Sequence, residues 1–142
     1  MNAVYIDTNI FLYLFDHASP FYNISSQCIE FCQQNNFSIT TSCETFQEIV
    51  HVAKKRKHVA QGLQSVQKAL RVVDQVFNID MKVIHTYLEF IGRHNFAGSR
   101  DALHVACSLE NNLSVIITSD RAFKNFKAID AYTPEEFLKK YS

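Results

Sequence analysis

The sequence predicts an α/β sandwich: a central parallel sheet of four to five strands between two layers of helices. Three observations carry this expectation. Short apolar runs alternate with amphipathic helical stretches along the whole chain. No Asn-Gly or Asp-Gly pair joins neighbouring runs as a hairpin would. The run LSVIIT at 113–118 is nearly continuous in apolar character, as a strand is when helices cover both its faces.

The elements follow in order. An apolar run beginning at the second or third residue is the first strand. It stops at Asp7 and resumes as Ile10, Phe11, Leu12 and Leu14 on a helix. Residues 21–34 carry Phe21, Ile24, Cys28, Phe31 and Cys32 at helical spacing, and Asn35-Asn36 ends that run. A short strand spans 37–40. Thr41 and Ser42 are placed to cap a helix through Lys57 whose apolar stripe is Cys43, Phe46, Ile49, Val50 and Ala53. Leu63, Val66, Leu70 and Val73 mark a helix over 59–74, followed by an extended segment around 76–79. Asp80 caps a helix to His94 that carries Val83, Ile84, Tyr87, Leu88 and Ile91. Ser99 opens a helix whose Ala102, Leu103, Val105, Ala106 and Leu109 cover a wide apolar arc, so it is expected to be central. After the strand at 113–118 come a short helix from Asp120, a weak strand at 128–130 and a terminal helix started by Pro134.

The 142 residues are 47% hydrophobic and 20% charged, which suits one domain over 1–142 with a core that needs no staples. No basic leader precedes an apolar stretch, and no apolar run approaches the ~18 residues of a membrane span. A cytoplasmic protein with no membrane partner is expected. Cys28, Cys32, Cys43 and Cys107 lack paired C-x-x-C spacing; Cys28 and Cys32, one helical turn apart, read as buried thiols. Formal charge is zero, so no global basic field announces a nucleic acid, although a local patch can supply the attraction.

Four carboxylates share an address. In open parallel sheets ligands bind beyond the carboxyl ends of the strands. Asp7 follows the first strand, Asp120 follows VIIT, Asp101 lies in the first turn of the helix at 99, and Glu48 lies in the helix after FSIT. Each aspartate also has a purely structural use, as a helix cap or a complement to the helix dipole. Glu48 has no such use, since it lies in the helix body beside the buried stripe. Glu44, one turn earlier, faces Gln47, His51 and Glu48 and reads as solvated. If the four acids meet, they repel one another and raise their own pKa values, so a cation is required among them. Mg²⁺ or Mn²⁺, one ion or two, suits an all-oxygen donor set and is a standard means of phosphodiester hydrolysis.

The segments YIDTNIF (5–11), TSCETFQEIV (41–50), SRDALHVA (99–106) and IITSDRAF (116–123) resemble, in that order, the acidic motifs of the PIN-domain nucleases. They are most similar to the VapC-type toxins of type II toxin–antitoxin pairs. The resemblance implies a PIN-like three-layer sandwich and a metal-dependent endoribonuclease acting on transfer or ribosomal RNA. It assigns Asp7, Glu48, Asp101 and Asp120 as catalytic metal ligands, with Asn9, Thr118 and Ser119 as polar supports. Arg100 and Arg121 stand beside those acids and are candidates for phosphate contact. The dense basic cluster Lys54, Lys55, Arg56 and Lys57 is another candidate for RNA, and equally a solvated helix end. His104 fits the pattern too, but is read as a core residue without a catalytic role. A homodimer and a cognate antitoxin filling the active-site groove are the implied partners, and Phe11, Phe15, Phe21 and Phe31 are compatible with a groove or with plain core.

Three rivals stand beside this reading. One is a housekeeping PIN nuclease that processes RNA without an antitoxin. Another is a non-catalytic RNA-binding PIN module, against which the presence of all four acids weighs. The last is a phosphate-transfer enzyme of the haloacid-dehalogenase type, which wants a second aspartate at the position held here by Asn9.

Overall fold

The computed structural model describes residues 2–93 and 98–142. Five strands, β1 (Ala3–Ile6), β2 (Ser38–Ser42), β3 (Gln75–Phe77), β4 (Val115–Ile117) and β5 (Asp130–Tyr132), form one parallel sheet in the order β3-β2-β1-β4-β5. The helices among the described residues are α1 (Thr8–Leu14), α2 (Tyr22–Gln34), α3 (Cys43–Lys55), α4 (Val59–Val72), α5 (Met81–Arg93), α6 (Ser99–Glu110) and α7 (Pro134–Tyr141). A 3₁₀ turn spans Arg121–Asn125.

Strand β1 shows why three layers result. Its side chains alternate across the sheet, Val4 and Ile6 to one face and Tyr5 to the other, and all three are buried. Val4 and Ile6 join a core with Ile10 and Phe11 of α1, Cys28, Ile29 and Cys32 of α2, Ile49 of α3, Ala69 of α4 and Phe137 of α7. Tyr5 joins a second core with Val83 of α5, Ala102, Val105 and Ala106 of α6, and Phe123. Burial of each large apolar side chain is worth about 1.5–3 kcal/mol, so the two cores together supply the main stabilisation on the two faces of the sheet.

Local chemistry sets the ends of elements. Asn36, Lys57 and Asn112 take positive φ of 59°, 60° and 61° and terminate α2, α3 and α6. Thr133 and Glu136 form a reciprocal capping box behind Pro134, which starts α7 as expected. Asp80 accepts the Val83 N–H at 3.0 Å and opens α5, whose expected end at His94 lies outside the described residues. Gly62 is required by close packing: a Cβ there would lie 2.4 Å from Ala53 Cβ, so α3 and α4 touch at this point.

Several expectations need correction. Ser42 sits at the N-cap of α3 but makes no capping hydrogen bond, because its hydroxyl accepts from Tyr5 at 2.8 Å. Thr41 donates to the Ile6 carbonyl at 2.9 Å. The strand placed at 113–118 is paired only over 115–117, the one placed at 128–130 lies at 130–132, and the helix expected from Asp120 is a 3₁₀ turn. Cys43 is exposed, outside the apolar stripe, while Cys28, Cys32 and Cys107 are buried; all four are free thiols. No helix among the described residues is long and apolar enough to cross a membrane.

The strand order reverses direction between β1 and β4. That reversal opens a crevice at their carboxyl ends, the usual ligand position in such sheets.

Candidate active site

Asp7 and Thr118 are neighbours because β1 and β4 pair in register, Ile6 opposite Ile117, and the Asp7 N–H donates to the Ile117 carbonyl at 3.0 Å. Asp7 has extended backbone at the N-cap of α1, and its Oδ1 accepts the Thr8 N–H at 2.8 Å. Its Oδ2 accepts the Thr118 hydroxyl at 2.7 Å. Thr118 Oγ1 in turn accepts the Asp120 N–H at 3.0 Å and the Asn9 side-chain amide at 3.4 Å. One threonine thereby sets both the Asp7 carboxylate and the backbone that presents Asp120. Asn9 also accepts the Ser119 N–H at 3.4 Å, whereas the Ser119 hydroxyl is buried and finds no partner among the described residues, neither acid included.

Asp120 caps the 3₁₀ turn through the Ala122 N–H at 2.9 Å and is exposed. Asp101, in the first turn of α6, faces it. Burial and the nearby charges of Asp120 and Asp7 push the Asp101 carboxyl up to about 6. Gly98 lies close beneath, where a Cβ would be 3.2 Å from Asp101 Oδ2. Burial also raises the Asp7 pKa from its ordinary value, against the pull of His104, Thr118 and the Thr8 N–H.

Glu48 joins the group through His104. His104 Nε2 is 2.7 Å from Glu48 Oε1 and 3.7 Å from Asp7 Oδ1, and all three side chains are buried. Burial alone would raise the Glu48 pKa, but the hydrogen bond and charge of His104 outweigh it and hold the carboxyl below its ordinary value. For His104, burial disfavours the charged ring, yet Glu48 and Asp7 prevail and raise its pKa. An imidazolium fits every distance: Nε2–H donates to Glu48, Nδ1–H to the Tyr5 hydroxyl at 2.5 Å, and Tyr5 O–H to Ser42 at 2.8 Å.

His104 is therefore the residue whose importance the sequence reading missed. It does hydrogen-bond within the core, but its partner there is one of the four acids and it borders a second. Its place at i+3 from Asp101, on the same face of α6, was the available signal. Glu44 is half-buried rather than solvated, and burial together with the charge of Glu48 raises its pKa. Arg100 lies within electrostatic reach of both glutamates, and Arg121 stands at the rim beside Asp120.

The basic cluster is elsewhere. Lys54 to Lys57 are exposed at the end of α3, and Lys55 is about 10 Å along the helix from Glu48 at 1.5 Å per residue. Of the four phenylalanines, Phe11 is fully buried, Phe31 packs against the core, Phe15 lines a groove between α1, α3 and α4, and Phe21 is exposed.

The donor set fits a hard divalent cation. Asp7, Asp101 and Asp120 bring only oxygen, and among the described residues no Lys or Arg pairs with Asp101 or Asp120. Among those residues, no three acid, histidine or cysteine side chains already form a coordination cluster.

A doubly covered parallel sheet with acids gathered at its switch point defines the α/β class of ligand-binding and catalytic domains. The chain belongs to the PIN domain family, whose model matches residues 4–129. It is 27% identical over 128 residues to ribonuclease VapC13 of Mycobacterium tuberculosis, an alignment covering 89% of this chain and 96% of that protein. Its fold matches VapBC2 of Rickettsia felis, solved on a promoter DNA fragment, with a TM-score of 0.76 and 17% identity over 92% of this chain and 98% of that one. It also matches a toxin–antitoxin complex from Klebsiella pneumoniae, with a TM-score of 0.67 and 21% identity over 92% and 97% of the two chains.

Proposed function

We propose that this chain is a Mg²⁺- or Mn²⁺-dependent endoribonuclease of the VapC type. The observation that supports this reading most is the approach of Asp7 and Asp120 to Asp101, from three separate elements and near enough for their charges to raise its pKa, at the β1/β4 crevice of a PIN domain. Asp7, Asp101 and Asp120 would hold the metal. Such an ion supplies positive charge to a scissile phosphate and acidifies water.

The chain's own groups do the rest. Thr118 and the Thr8 N–H orient Asp7, and Gly98 leaves room for Asp101. His104 holds the Glu48 carboxyl below its ordinary value and opposes the burial that raises Asp7, so positive charge from the chain itself offsets part of the crowding among the acids. Glu48 acts through that pair, with one carboxylate oxygen already taken by His104. Arg100 and Arg121 are exposed and adjacent in sequence to Asp101 and Asp120, which supports a role for them in contacting RNA phosphates.

The relationship to VapC13 and to a toxin–antitoxin complex favours a toxin held inactive by a partner protein. A groove of about 560 Å³ with Leu12, Phe15 and Val52 in its wall and Arg56 and Lys68 among its cations suits an amphipathic acidic segment of such an antitoxin. The test is incubation of the purified chain with total RNA, with and without Mg²⁺, followed by mapping of the new ends. Metal-dependent cuts at defined positions are expected; intact RNA at millimolar Mg²⁺ and Mn²⁺ would contradict the reading.

A further inference from the structure

A second cavity, also of about 560 Å³, opens beside Asp120 between α1, α2 and the start of α7. Its size is ordinary for a small-molecule site. Ser119 and Arg121, the residues on either side of Asp120 in the chain, form one wall, so the cavity lies next to the segment that presents Asp120. Tyr13 and Phe21 form another, their rings 4.9 Å apart and tilted by 43°. Phe21 is 48% exposed, so part of its ring is open to a ligand in the cavity. Ser25 belongs to the same lining and is fully buried. The hydroxyls of Ser25 and Ser119 are the buried side-chain polar atoms without a hydrogen-bond partner among the described residues, and both belong to this one cavity.

We propose that this cavity is a nucleobase subsite, taking one unstacked base of the RNA next to the bond that is cut. The inference rests on the ribonuclease reading above. Aromatic rings give a base a stacking surface. Serine hydroxyls donate and accept, so they match the mixed edge of a base, where an apolar side chain would leave both unsatisfied. Arg121 and Lys139 are the cations of this lining and can meet a flanking phosphate, while Glu135 and Glu136 in the same lining offset them, so the cavity carries no excess positive charge that would favour phosphate over a base. The juxtaposition of unpartnered hydroxyls, an exposed ring and a cation one residue from Asp120 favours RNA over a protein side chain as the occupant.

The test uses short oligoribonucleotides in which the residue beside the mapped cleavage site carries each of the four bases or none. The wild-type chain is expected to prefer its best base over the abasic residue by about tenfold or more in kcat/KM, the worth of one stacked base. Phe21→Ala should bring that ratio close to one. Ser25→Ala should lower it roughly 2- to 10-fold while leaving Tm unchanged or higher, since no existing hydrogen bond is lost. An unchanged ratio in Phe21→Ala would overturn the subsite while leaving the nuclease intact. Nucleoside 5′-monophosphates titrated against the full chain provide a readout free of cleavage, with the Tyr13 and Phe21 ring signals followed by NMR. Shifted rings without RNA cleavage would sink the nuclease reading and keep the base site. If Phe21→Ala cleaves like the wild type and loses only its inhibition by the purified antitoxin, the cavity docks protein and the base assignment is wrong.

Discussion

His104 Nε2 lies 2.7 Å from Glu48 Oε1, an ion pair between α6 and α3 in which neither side chain is more than a tenth exposed. Carboxylates packed at one place need positive charge among them, and here the protein supplies part of it. The division is uneven. His104 serves Glu48 and Asp7, and Asp101 and Asp120 are left facing each other.

His104→Ala removes both ring donors from a buried pair and leaves Glu48 uncompensated. A loss of about 3–5 kcal/mol in urea denaturation is expected, the usual cost of breaking one partner out of a buried ion pair. Adding Glu48→Gln should recover part of that loss, because the orphaned charge is then gone. Strictly additive effects in the double variant would show that the two side chains do not act as a pair.

Thr118→Val keeps the shape of the side chain but withdraws the hydroxyl that donates to Asp7 and accepts from the Asp120 N–H. Destabilisation of about 1–3 kcal/mol is expected from the unsatisfied groups. Cleavage should fall mainly in kcat, since two acids lose their orientation together. An active variant with wild-type kcat would remove Thr118 from the site.

Asp101 fixes the pH dependence. Its folded pKa of about 6 lies above the ordinary aspartate value of 3.8, so between those values the folded chain holds more protons than the unfolded one. Metal-free stability from this group therefore falls as pH rises from about 4 to 6, the reverse of an ordinary paired carboxylate. Bound Mg²⁺ opposes protonation, so activity should drop as pH falls through a midpoint that lies near 6 at limiting metal and lower at saturation. Thermal scans and rates at several metal concentrations check both signs; a midpoint independent of metal would contradict the assignment.

Gly62→Ala tests the α3/α4 contact away from the site. Helix propensity favours alanine by about 1 kcal/mol, but a Cβ 2.4 Å from Ala53 Cβ forces the helices apart. Overpacking of about 1–3 kcal/mol should prevail, giving a lower Tm with cleavage retained.

Much of this site was legible in the sequence because backbone connectivity carries it. Asp7 ends a strand and Asp120 follows one, so a parallel sheet brings both to the same edge regardless of side-chain detail. The pairing of Glu48 with His104 was not legible: it joins residues 56 apart and depends on how α3 and α6 settle against opposite faces of the sheet. Ser42 misled for a related reason. A serine before a helix reads as a cap, and only the folded sheet reveals that Tyr5 claims its hydroxyl. The cluster at Lys54 to Lys57 was attractive by charge alone, but α3 runs back along the sheet and carries it away from the acids.

The central claim is that Asp7, Asp101 and Asp120 share a divalent cation on which RNA cleavage depends. The most direct measurement compares wild type with Asp101→Asn, recording both the Mg²⁺-induced rise in Tm and cleavage of the mapped RNA substrate. The wild-type chain should gain about 2.7 kcal/mol at a metal concentration of 100 Kd and cut its RNA. Asp101→Asn should fold, lose most of that gain and lose at least a hundredfold in kcat. Full cleavage by the folded Asp101→Asn variant would contradict the account.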